Sequence, residues 1–124
     1  GTWTKATTEA SFDVINPADG SVLGQVYDGG QQSARAAIDA AAGAFRTWSK
    51  TTAYERSNIL YRAYQLMIER SEDLAQTMTM EQGKPLRAAR TEVQYAADFL
   101  LWFAEEAKRS YGRNSGSGAD GNAP

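Results

Sequence analysis

One stripe of apolar residues constrains this chain more than any other feature. Leu86, Ala89, Val93, Ala96, Leu100, Phe103, Ala107 and Tyr111 recur at intervals of three and four. That is the period of one face of an α-helix and cannot be read as a strand. Tyr95, Phe99 and Trp102 add a second apolar band beside it, so the helix expected over 86–111 needs cover on more than one side. At 124 residues the chain has room for a single domain, and its 42% apolar content suits a globular one.

Shorter helices precede this one. Ala34, Ala37, Ile38, Ala41, Phe45 and Trp48 share a face of a helix expected over about 33–50. Thr52-Ala53-Tyr54-Glu55 has the form of a capping box, in which hydroxyl and carboxylate satisfy backbone N–H groups that the first turn leaves without partners. It opens a helix over 53–70, with Ile59, Leu60, Ala63, Leu66 and Met67 inward. Ser71 reads as a fresh N-cap, with Glu72 and Asp73 where the helix dipole favours negative charge. That third helix, over 72–82, stops at Gly83 ahead of Pro85.

Upstream, Ser11-Phe12-Asp13-Val14-Ile15 and Ser21-Val22-Leu23-Gly24-Gln25-Val26-Tyr27 are rich in β-branched and aromatic residues. Asn16-Pro17-Ala18-Asp19-Gly20 between them carries turn chemistry, so a β-hairpin is expected over 11–27. An isolated hairpin is marginal in water and needs a surface to lie on. The expected fold is mainly α, about four amphipathic helices with an N-terminal hairpin over residues 1–111. Residues 112–124 hold no large apolar side chain and read as a flexible Gly/Ser-rich tail.

Composition removes whole classes of chemistry. There is neither cysteine nor histidine, which excludes disulfides, thiolate nucleophiles, imidazole acid–base catalysis and the usual zinc sites. A net charge of −2 offers no basic surplus for nucleic acid or anionic lipid. No apolar run is long enough to span a membrane, and Gly1-Thr2-Trp3-Thr4-Lys5 lacks a signal peptide's apolar core. A cytoplasmic location is therefore expected.

The remaining motifs read as structure. Gly29-Gly30 is not continued by the glycines of a dinucleotide loop, and Gly83-Lys84 is followed by Pro85 where a phosphate loop needs Ser or Thr. Glu105-Glu106 and the Glu69, Glu72, Asp73 group are surface acids, with no apolar pocket to turn one into a general acid. Arg87 and Arg90 with Glu92 are expected to pair along the helix surface. Without basic residues among them, Tyr95, Phe99 and Trp102 read as core or interface rather than as a stacking platform for bases.

Taken in order, these pieces resemble one family. Asn16-Pro17-Ala18-Asp19-Gly20 follows the first strand, and Ala37-Ile38, Ala41-Ala42, Ala44-Phe45 and Trp48 come next. Glu55-Arg56 precedes Ile59-Leu60, and Asp73-Leu74-Ala75 leads into Glu81-Gln82-Gly83-Lys84-Pro85-Leu86. Glu92-Val93, Tyr95-Ala96-Ala97-Asp98-Phe99 and Trp102-Phe103-Ala104-Glu105-Glu106-Ala107 complete the series. The chain resembles the N-terminal portion of NAD(P)-dependent aldehyde dehydrogenases over residues 1–112, leaning to the succinate-semialdehyde branch. Ala88 and Thr91 depart from it, standing where the family commonly has an acid and a glycine. Gly1-x-Trp3 is similar to the middle of the family's first strand motif, which implies that the chain starts inside an element.

The family's reaction uses a cysteine thiolate, an asparagine that stabilises the oxyanion, a glutamate that activates water and a bound nicotinamide. None of these catalytic or cofactor-binding residues maps onto this chain. The resemblance thus implies an inactive portion that binds no cofactor itself, NAD or NADP belonging to the full-length family. Its partner would be the remainder of the subunit, or other copies meeting through apolar helix faces. The resemblance also puts Glu92, Tyr95 and Phe99 at the border of the substrate tunnel. The alternative is a non-catalytic helical interaction module.

Overall fold

A computed structural model describes residues 10–109. The expected tail over 112–124 and the last two residues of the expected final helix lie outside them. Two strands come first, β1 (Ser11–Ile15) and β2 (Val22–Tyr27). Four helices follow: α1 (Gly30–Trp48), α2 (Ala53–Glu69), α3 (Ser71–Gln82) and α4 (Leu86–Arg109). The expected class, mainly α with an N-terminal hairpin, is the one observed.

The strands pair antiparallel, from Ser11 opposite Tyr27 to Ile15 opposite Val22, with an irregularity between Val14 and Ile15. Their turn is built from the residues that announced it. Gly20 takes φ of 73° and its N–H donates to Asn16 O at 2.8 Å. The Asn16 and Asp19 side chains accept from the Ala18 and Ser21 N–H groups at 3.0 and 2.9 Å. Both faces of the hairpin are largely exposed.

Helix α1 begins at Gly30, earlier than the periodicity suggested, because Gly29 O already accepts the Ser33 N–H at 3.3 Å. It ends at Trp48 rather than Lys50, where the Thr51 hydroxyl donates to Trp48 O at 2.7 Å and closes the turn. None of its residues is buried, and Ile38, Phe45 and Trp48 are all exposed. The amphipathic pattern is present, but nothing among the described residues covers it.

The capping box forms as expected. Thr52 Oγ1 accepts the Glu55 N–H at 3.2 Å, and the Thr52 N–H donates to Glu55 Oε2 at 2.7 Å. Ser71, by contrast, is not an N-cap. Arg70 O accepts the Leu74 N–H at 3.0 Å, which puts Ser71 already inside α3. Arg70 thus closes α2 and opens α3 in one residue.

The core lies where α4 packs along α2 and α3. Ala75, Ala89 and Val93 are buried at its centre, with Met67, Met78 and Leu86 packed on them. Ala97 and Ala104 extend the seam. This corrects the expected stripe: Ala96 and Phe103 are exposed, and so is Ile59 of α2, while Ser57 is buried. Alanine lets helix backbones approach closely, so the seam follows the small residues and leaves bulky aromatics on the outer side.

Between α3 and α4, Gly83 caps α3 with φ of 70°, and the hairpin turn rests on it. A Cβ built at Gly83 would meet Pro17 Cγ at 3.0 Å. Gly83→Ala is therefore expected to cost about 1–2 kcal/mol from the left-handed backbone alone, plus the displacement of Pro17. Chemical denaturation of the two chains measures it.

Candidate functional site

The first half of α4 carries the residues singled out as bordering a substrate. Pro85 O accepts the Ala88 and Ala89 N–H groups at 2.8 and 3.0 Å, which fixes where the helix starts. Glu92 and Tyr95 then line one open depression of about 740 Å³ together with Pro85, Arg87, Ala88 and Thr91. Phe99 is not part of it. It lines a neighbouring hollow of about 330 Å³ with Tyr95, Asp98, Trp102 and Phe103. Tyr95 joins the two, its ring meeting Phe99 edge-on at 4.8 Å. Phe99 in turn stacks on Phe103 at 6.3 Å. Tyr95 and Trp102 are each 63% exposed, so this aromatic ladder faces outward.

The charged residues here do not pair as expected. Neither Arg87 nor Arg90 meets Glu92 along the helix. Glu92 is instead held by the Lys84 ammonium, across the start of α4. Arg90 reaches back to α3 and donates to both carboxylate oxygens of Glu72, at 2.8 and 2.7 Å. Such pairs join residues from separate elements, and a rule of helical spacing cannot find them.

The Arg90 guanidinium, helped by the Gln76 amide at 3.1 Å, holds the Glu72 carboxyl down to about 2. Asp19 and Glu55 are also lowered, by hydrogen bonds from Ser21 and Thr52 respectively. Hydrogen bonds to the ionised form favour it, so these carboxyls are poised as anions rather than as proton donors. A lowered folded-state value gives stability that is present above the ordinary carboxylate range and is lost as pH falls from there towards about 2. Urea midpoints are expected to drop over that window, and Glu72→Gln is expected to remove part of the drop.

The glycines after β2 do not form a dinucleotide cradle. A Cβ at Gly29 would meet the Ser33 side chain at 3.0 Å, so the space beside it is filled by α1 itself. Among the described residues no cluster of acidic side chains could hold a metal ion. No helix there is long and apolar enough to cross a membrane.

What these features define is a helical scaffold with a hairpin, a small alanine-lined core and an uncovered aromatic side. Comparison with known proteins gives the family. Residues 3–123 match the model of the aldehyde dehydrogenase family. The chain is 51% identical over 112 residues to the succinate-semialdehyde dehydrogenase (NADP(+)) GabD of Escherichia coli K12. It is 50% identical over the same length to a glutarate-semialdehyde dehydrogenase of Pseudomonas aeruginosa. In each case the match covers 90% of this chain and 23% of the relative, so the chain spans under a quarter of its relatives' length. Among solved structures, an E. coli NADP-dependent enzyme superposes with a TM-score of 0.86 at 50% identity, covering 90% of this chain and 23% of that one. A succinate-semialdehyde dehydrogenase from Burkholderia pseudomallei gives 0.84 at 48%, covering 88% of this chain and 23% of that one.

The chain belongs to the aldehyde dehydrogenase family. Within it, the chain stands close to the succinate- and glutarate-semialdehyde dehydrogenases and corresponds to their N-terminal part. A further solved relative, PnpE, is in complex with nicotinamide adenine dinucleotide, at 30% identity and a TM-score of 0.84 over 88% of this chain and 23% of that one.

Proposed function

We propose that this chain is the N-terminal scaffold of a cytoplasmic dehydrogenase subunit that oxidises a semialdehyde to the acid with NAD or NADP. By itself it supplies neither the attacking group nor the nicotinamide site, and it is inactive alone. Glu92, Tyr95 and Phe99 border the path of the substrate once the rest of the subunit is in place. The observation that carries this reading is the uncovered apolar side. Ile38, Phe45 and Trp48 of α1 and Tyr95, Phe99, Trp102 and Phe103 of α4 are all exposed. Burying one such side chain is worth about 1.5–3 kcal/mol, so the apolar faces left open on each of these two helices favour a docked partner.

The test is complementation. The pure chain is expected to form no NADPH from succinate semialdehyde and NADP, and to sediment above its monomer mass as copies meet through the same face. Co-expression with the downstream remainder of the E. coli relative is expected to yield a stoichiometric complex with turnover. Activity from the chain alone, or failure of the two parts to associate, overturns the reading.

A further inference from the structure

The tip of the hairpin carries a dipeptide with chemistry of its own. Asp19-Gly20 is exposed there, between β1 and β2. In an Asp-Gly pair the glycine amide nitrogen can attack the aspartate Cγ, because no side chain on the glycine hinders the approach. A new N–C bond forms and one carboxyl oxygen leaves as water, closing a succinimide. Water then adds at the aspartate main-chain carbonyl carbon and breaks its bond to the glycine nitrogen, so the chain now runs through Cγ. The water lost is regained, no oxidant or reductant takes part, and the mass is unchanged.

In the folded turn both reacting groups are engaged elsewhere. The Gly20 N–H, which must give up its proton, donates to Asn16 O at 2.8 Å. Asp19 Oδ1 accepts the Ser21 hydroxyl at 2.7 Å and the Ser21 N–H at 2.9 Å. The Ser21 hydroxyl above all, and then its N–H, hold the Asp19 carboxyl below its ordinary value. They favour the ionised form, whose oxygen is the poorer leaving group.

We propose that Asp19-Gly20 is a latent site of isoaspartate formation, held shut by the Asn16 and Ser21 hydrogen bonds and released when the turn opens. Conversion inserts one methylene into the main chain, inside the turn that sets Ile15 opposite Val22. Pro17, in the same turn, is the residue that sits against the Gly83 cap, so the change carries from the hairpin to the joint between α3 and α4. The turn thereby keeps a slow covalent record of hairpin opening, whatever reaction the subunit performs.

Ageing the pure chain at neutral pH, in buffer and in denaturing urea, tests this. Peptide mapping by liquid chromatography and mass spectrometry separates isomers of equal mass and scores Asp19 apart from Asp28-Gly29 and Asp120-Gly121. Conversion at Asp19 is expected to run about tenfold slower in buffer than in urea, the protection that a pair of net hydrogen bonds provides. Ser21→Ala, which removes the hydroxyl and keeps the glycine, is expected to raise the rate in buffer severalfold and to leave the rate in urea unchanged. Equal rates at Asp19 in buffer and urea overturn the proposal. So does a Ser21→Ala rate in buffer no higher than that of the parent chain.

Discussion

Val93→Asp abolishes the cooperative unfolding transition of this chain at neutral pH. Val93 is 2% exposed and belongs to the buried apolar cluster with Ala75 and Ala89. Burial of an unpaired acid raises its pKa by about 3–5 units, and the uptake of a proton that this forces costs about 4 kcal/mol at neutral pH, on top of the lost packing. That rivals the whole stability of a small domain, typically about 5–15 kcal/mol. The sign gives an internal check. A raised folded-state pKa penalises folding most where the unfolded acid is ionised, so the variant regains stability as pH falls. Val93→Ala, which removes only packing, is expected to lose about 1–3 kcal/mol with no such pH dependence. Thermal melts of the three chains at neutral and mildly acidic pH separate the two costs.

Arg56→Ala is expected to loosen the joint between the end of α1 and the start of α2 while leaving the α2–α3–α4 core intact. Its guanidinium donates to Thr51 Oγ1 at 2.9 Å, to Trp48 O at 3.3 Å and to Ser49 O at 3.2 Å. It also lies over the Trp48 ring, 5.8 Å from the centroid. One side chain thus ties the carbonyls that end α1 to the first turn of α2. Hydrogen bonds from a charged donor are worth about 1.5–3 kcal/mol net, and that is the expected loss. Trp48 fluorescence is expected to shift to the red and α1 amides to exchange faster, with protection at Ala89 and Val93 retained. Arg56→Lys recovers only part, because an ammonium cannot span the same acceptors in a plane.

The sequence made the element boundaries legible where a local rule produces them. Thr52 and Glu55 announce the capping box, Gly83 the left-handed end of α3, and Asp19-Gly20 the hairpin turn. Each depends on residues a few positions apart, so spacing alone finds them. The buried side of α4 was not legible in the same way. Large apolar residues drew the expected stripe through Ala96 and Phe103, whereas the helices close over Ala97 and Ala104. Which of two adjacent apolar bands turns inward is decided by the partner helices, not by the helix that carries them. The ion pairs show the same limit. Glu72 and Arg90 are 18 positions apart, and only the return of α4 along α3 brings them together. Of the candidate site, Glu92 and Tyr95 do share a depression, while Phe99 falls into the next hollow along the helix.

The joint at Arg70 has a consequence for how this chain can change. Since one residue both stops α2 and starts α3, the two rods are keyed to each other like shafts in a splined coupling. Inserting a single residue there would rotate α3 by about 100° about its own axis. Ala75 would swing away from Ala89, and Glu72 would lose its grip on Arg90. The joint can accept exchanges of side chain, but an added or deleted residue would unmesh everything downstream of it.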